Sequence, residues 1–212
     1  MTARSEHDAW KRGGTDNSNP EVKANLRRTY LDELKAEPRV LDLFCGAGEM
    51  YRRVYAGRVK EYIGIDREKV HDTELCLLMD NRSFVAHNDL GRFDVFDLDD
   101  YGCPWGLFYR VLEKVGRQTI VVFLTDGLMK RSQLNSKPPR IVAAINGIPK
   151  GMLIPALPRR YHDLFRTMLL DVEERYGYHI ARATYARSER SDVYYWALRL
   201  EQRAKKASSG RG

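Results

Sequence analysis

Cysteine is scarce in this chain, with only Cys45, Cys76 and Cys103 among 212 residues. The number is odd, and no Cys-x-x-Cys pair or His/Cys cluster occurs, so neither a disulfide framework nor a zinc site is expected. The plain reading is an intracellular, cytoplasmic protein with no metal. Long apolar runs are also missing: none approaches the ~20 residues of a membrane span. Residues 1–20 are polar and contain no apolar core, which excludes a secretory signal and suggests a flexible arm. Internal repeats are absent, and low-complexity sequence is confined to a basic tail, 203–212. What remains, 43% apolar and 31% charged, suits one soluble domain over 21–202. The net charge of +7 permits contact with a polyanion without proving it.

A further absence bears on chemistry. Val40 to Gly48 reads as an apolar strand entering a glycine turn, followed by a helix over 49–58. Gly46 and Gly48 allow a sharp turn and close backbone approach to a ligand. The helix N-terminus beyond them favours lone pairs or negative charge. Asp66 closes a second strand 18 positions after Gly48, where an acid is placed to bind two ribose hydroxyls. The dinucleotide fingerprint lacks its third glycine, because Tyr51 stands there. That counts against a pyrophosphate on the helix and leaves a ribose-bearing cofactor without phosphate; S-adenosylmethionine fits.

With these residues the chain resembles the class I S-adenosylmethionine-dependent methyltransferases. Leu41 to Gly48 matches their first motif, and Tyr62-Ile63-Gly64-Ile65-Asp66 their second. The resemblance implies an α/β, Rossmann-like sheet of seven mostly parallel strands, a C-terminal antiparallel hairpin and helices on both faces. It implies that Asp42, Phe44, Cys45, Gly46, Ala47 and Gly48 surround the methionine part of the cofactor. Asp66, with Arg67, would take the ribose; Asp80 and Asn81 would lie beside the adenine, and Asp97 would complete the set.

Apolar periodicity predicts a helix over 21–36 that Pro38 ends, and strands at 39–44, 62–66, 92–99 and 119–125. Helices are expected at 104–115 and 161–176, and a hairpin from 179–187 and 192–200. Two runs compete for the third strand, 75–79 and 83–86. A right-handed crossover needs about a dozen residues, and 83–86 would leave too few before Phe93. The expectation is therefore a strand at 75–79 and a short helix over 81–90. Were that wrong, Asp89 would replace Asp80 beside the adenine.

Asp97-Leu98-Asp99-Asp100-Tyr101-Gly102-Cys103-Pro104 ends the fourth strand. An aromatic amine is a poor nucleophile because its lone pair enters the ring. A carboxylate accepting its N–H helps restore that lone pair, and an aromatic face holds the base flat. The segment resembles the Asp-Pro-Pro-Tyr motif of amino-methylating DNA enzymes, and more closely the Asp-Leu-Asp-Pro-Tyr-Gly-Ser-Pro pattern of tRNA guanine-N2 dimethyltransferases. That similarity covers roughly residues 39–127 and includes Thr125-Asp126. It implies that Asp99 accepts from the substrate and Tyr101 stacks on it, while Asp100 replaces the family's proline. For Asp97 alone, satisfaction by backbone or a basic partner is favoured. Cys103 before Pro104 reverses the order found in cytosine-C5 methyltransferases, so a packed cysteine is preferred to a nucleophile.

Residues 127–160 form a basic insertion bearing Lys130, Arg131, Lys137 and Arg140, expected to hold substrate phosphates. The apolar stretch 141–148 would give it a packed piece of its own. The expected activity is methyl transfer from S-adenosylmethionine to an exocyclic amine of an RNA or DNA base. The rivals are a methyltransferase for a small molecule or protein, and an inactive subunit that keeps the cofactor fold. Target recognition would come from the insertion, from a partner chain or homodimer, or through a flipped or single-stranded base.

Overall fold

The computed structural model describes residues 19–67, 76–100, 102–133, 137–154, 156–188 and 192–203, without the side chains of 131–133. Residues 1–18 of the arm expected at 1–20, Tyr101 and the tail from 204 lie outside the described residues, and Pro20 already belongs to a helix.

Helix α1 (Pro20–Leu31) begins with proline in its first turn, where the missing N–H costs nothing. Strands β1 (Arg39–Asp42), β2 (Glu61–Asp66) and β3 (Cys76–Leu78) pair in parallel, with Asp42 opposite Gly64 and Gly64 opposite Cys76. The third strand is thus the earlier of the two candidate runs, and residues 83–86 lie in α2 (Asn81–His87). Strand β4 (Val95–Leu98) joins the other side of β1, and α3 (Trp105–Val115) leads to β5 (Thr119–Asp126). Then come α4 (Leu128–Gln133), α5 (Arg140–Ile145) and α6 (Leu157–Tyr176). Strands β6 (Tyr178–Arg187) and β7 (Tyr194–Gln202) form the antiparallel hairpin. The sheet order is β3-β2-β1-β4-β5-β7-β6, with β7 antiparallel to β5.

Alternation along the strands divides the core into two layers. Ile120, Val122 and Leu124 of β5 pack with α3 and α6, while Val121 and Phe123 pack with α1 and the turn after β1. Among the described residues no helix is long and apolar enough to cross a membrane.

Two local expectations are corrected. The helix expected at 49–58 becomes a π-helical turn over Tyr51–Tyr55, closed by the Ala56 N–H on the Tyr51 carbonyl. This wider turn buries both Val54 and Tyr55. The basic insertion forms α4 and α5, and the stretch 141–148 packs as expected, burying Val142 and Ala143, with Ile154 buried beyond it. Helix α6 starts at Leu157, four residues early, because Pro158 fits its first turn.

Candidate functional site

The C-terminal ends of β1, β2 and β3 converge through the glycine turn. Gly46 and Gly48 have φ of 50° and 68°, the left-handed region that L side chains disfavour. The Gly46 N–H donates to Asp66 Oδ2 at 2.9 Å, joining the turn to the end of β2. The Met79 N–H donates to the Asp66 carbonyl at 2.8 Å, and Asn81 Nδ2 donates to the Leu43 carbonyl at 3.3 Å. Asp80 caps α2 by accepting the Ser83 N–H and pairs with Arg67. The Arg67 hydrogen bond holds the Asp80 carboxyl below its ordinary value. Asp89 accepts from Gly91 in the connection after α2, so it does not take the place of Asp80. Phe44, Gly46 and Ala47 keep some exposure, Ala47 most.

Cys45 contributes by packing. Its Sγ lies 3.0 Å from that of Cys76, and all three cysteines are thiols. A Cβ on Gly64 would come within 2.7 Å of the Cys45 Cβ, so only glycine lets the turn rest on β2. Burial, followed by the Cys76 contact, pushes the Cys45 thiol up.

Asp42 and Asp97, both in the expected cofactor set, lie buried beneath the turn, and Asp97 has the basic partner favoured for it. They face each other across β1 and β4 and are 2% and 0% exposed. Asp42 accepts the Phe44 N–H at 3.0 Å and the Tyr62 hydroxyl at 2.9 Å. Arg27 grips Asp97 with Nε and Nη2, both at 2.6 Å, and the Tyr55 hydroxyl donates at 2.6 Å. The Arg27 guanidinium is engaged by Asp97, so burial first, and then the charge of Asp97, drives Asp42 above the usual carboxylate range. Both acids shape the turn from beneath and offer a ligand almost no surface.

Two residues beyond Asp97, just past the end of β4, Asp99 meets Lys23. The Lys23 ammonium lies 2.7 and 2.9 Å from the two carboxylate oxygens, and Arg27 Nη2 is 3.9 Å away. Burial alone would raise the Asp99 pKa, but Lys23, Arg27 and Thr125 outweigh it and hold the carboxyl below its ordinary value. The Asp99 side chain keeps 18% exposure, whereas that of Lys23 is 4% exposed.

On the other face, Asp126 is 1% exposed and accepts from Trp105 Nε1 at 3.0 Å, Tyr161 Oη at 3.0 Å and the Leu128 N–H at 2.9 Å. Trp196 Nε1 donates to Tyr161 Oη at 3.0 Å, extending the chain. Burial raises the Asp126 pKa above its ordinary value, the donors oppose it, and the nearby Asp100 charge adds to it. Cys103 is partly buried against this layer, a packed cysteine as expected.

Of the expected substrate cations, Lys137 and Arg140 are exposed, Lys130 is half-buried and the Arg131 side chain lies outside the described residues. Tyr101, the expected stacking ring, is likewise outside them, although its neighbour Gly102 is tied to β5 by the Gly127 N–H at 2.8 Å. A cavity of about 580 Å³ is lined by Ala36, Pro38, Asp94, Arg117 and Thr119. It opens at the N-terminal ends of the strands, away from this chemistry.

Sequence reasoning missed Lys23, Arg27, Tyr55 and the donors to Asp126. The available signal was Lys23 and Arg27 at i, i+4 on the face that also carries Tyr30.

No family model and no curated protein matches the chain. Solved structures do. A SAM-dependent methyltransferase from Archaeoglobus fulgidus aligns with a TM-score of 0.52 at 16% identity, covering 93% of this chain and 100% of that one. TYW2 from M. jannaschii, solved in complex with AdoMet, aligns with a TM-score of 0.51 at 10% identity, covering 86% and 77%. A third structure, from Pyrococcus horikoshii, aligns at 0.50 with 15% identity, and the chain spans 63% of its length. At such identities the likeness establishes the fold: the sheet is that of the class I methyltransferases.

Proposed function

We propose that the protein transfers a methyl group from S-adenosylmethionine to an exocyclic amino group of a nucleic-acid base. The fold supports the donor, since a neighbour with the same sheet was solved with AdoMet. The residues fit it as well. Gly46 and Gly48 hold a positive-φ turn that side chains would strain, and Asp66 brings a carboxylate to the Gly46 N–H. Asp66 would hold the ribose hydroxyls, the backbone of 44–48 the methionine part, and Asp80 with Asn81 the adenine. When bound, the cofactor supplies an electrophilic methyl on a sulfonium.

The observation that carries the acceptor reading is the Lys23–Asp99 pair at the end of β4, beside the strand that feeds the glycine turn. Held ionised, Asp99 accepts an N–H of the incoming amine and returns lone-pair density to nitrogen. Lys23 occupies one direction at each oxygen and leaves others open, because a carboxylate offers about four acceptor sites. After transfer, the surplus amine proton leaves by way of Asp99 or water. Asp100 adds negative charge at the mouth of the site, and Tyr101 would stack on the base.

Labelled methyl transfer to tRNA, ribosomal RNA, DNA and small-metabolite pools, followed by nucleoside analysis, tests this. Label on a base amino group is expected, with loss of at least a hundredfold in Asp99→Ala. Label confined to metabolites or protein selects the rival substrate class. Full activity in Asp99→Ala overturns the role given to that residue.

A further inference from the structure

The outer edge of the sheet carries a feature that the methyl-transfer chemistry does not use. Tyr185 of β6 is 43% exposed although it lies among rings: its centroid is 5.0 Å from His162 and 4.8 Å from Trp196. Trp196 itself is fixed, stacked on Phe165 at 3.5 Å. Two residues on, and therefore on the same face of β6, Arg187 is exposed and sets its guanidinium 5.8 Å from the Tyr194 ring. On α6, Arg159 and Arg166 stand three residues before and four after His162, so they share its side of the helix. All three are exposed.

The register places this surface. Arg187 lies opposite Tyr194, and Tyr194 lies opposite Asp126 at the C-terminal end of β5. The aromatic and cationic strip therefore runs from the active-site end of the sheet along the groove between α6 and β6. An exposed ring on a rigid aromatic base, flanked by guanidinium groups, suits a strand of unpaired bases: rings stack on its bases and cations meet its phosphates.

We propose that Tyr185, with His162, Arg159, Arg166 and Arg187, forms a docking strip for single-stranded nucleic acid leading into the methylation site. The proposal rests on the nucleic-acid reading above and specifies where the strand lies. Charge complementarity argues for this occupant: the strip's exposed side chains include three arginines, and the chain as a whole carries +7.

Fluorescence anisotropy with a labelled single-stranded RNA and a DNA of the same mixed sequence, at several salt concentrations, tests it on the full chain. Tyr185→Ala is expected to weaken binding about tenfold, as loss of one stacked base does. Arg187→Gln and Arg166→Gln should each reduce the log–log salt slope by about 0.7. Arg58→Gln, on the other face and paired with Asp32, should leave the slope unchanged. Cofactor affinity, measured by calorimetry, should stay at the wild-type value in every variant and verifies folding. If wild type binds strands while the strip variants bind equally well, the strip is wrong and the proposed function stands. A slope reduced as much by Arg58→Gln as by Arg187→Gln also overturns the strip. If wild type binds no strand at all, the nucleic-acid reading falls together with it.

Discussion

The two faces of the sheet bury acids in opposite ways. Under α1, Asp97 and Asp99 are met by full charges, Arg27 and Lys23, while Asp42 beside them accepts from a tyrosine hydroxyl and a backbone N–H. Under α6, the single acid Asp126 is met only by neutral donors: an indole, a phenol and a backbone N–H. The first arrangement keeps a carboxylate ionised at a strand end where it can act. The second raises the pKa of its acid and locks aromatic rings into a platform. Charge pairing serves reactivity on one face, and hydrogen-bonded packing serves shape on the other.

Removing the charge compensation should have the largest effect. Arg27→Met leaves Asp97 buried without its guanidinium, and a loss of about 3–5 kcal/mol is expected in chemical denaturation. A loss below about 1 kcal/mol would mean that the ionic face tolerates unpaired acid and that the contrast is false.

Gly64→Ala comes next. Its new Cβ meets Cys45 at the base of the turn, and up to about 3 kcal/mol of stability should go. Cofactor affinity should fall with it, read by calorimetry under conditions where the variant is folded. On the aromatic face, Tyr161→Phe removes one donor to Asp126 and the acceptor of Trp196. About 1–2 kcal/mol should be lost, with the acid limb of the activity profile unmoved.

Lys23→Met should cost least in stability, because Asp99 keeps some contact with water, yet it should move the pH profile. In wild type the Asp99 pKa is depressed, so its contribution is present above its unfolded value near 3.9 and is lost as pH falls through the lower folded value. Without Lys23 the desolvation that it opposed gains weight, and the acid limb of methyl transfer should move to higher pH. An unmoved limb would assign Lys23 a purely structural role.

Much of this layout was legible in the residues because its signals are local. The strand, glycine turn and second acid lie within 40–66, and chain length after 79 decided between the two candidate third strands. The alternating hairpin announced itself. The ionic face was less legible, because Lys23 and Arg27 meet acids 76 and 70 positions away, and no local pattern records that pairing. The π-helical turn escaped notice because its apolar spacing resembles that of an ordinary helix. The basic partner favoured for Asp97 is Arg27, although its distance of 70 positions left that partner unnamed in the sequence.

The account depends above all on the turn at Gly46 and Gly48 with Asp66 beside it. Calorimetric titration of the protein with S-adenosylmethionine, alongside Asp66→Ala, tests this most directly. Saturable one-to-one binding is expected for wild type, weakened at least tenfold in the variant by loss of the ribose contacts. Absence of binding to the folded wild-type protein would contradict the account.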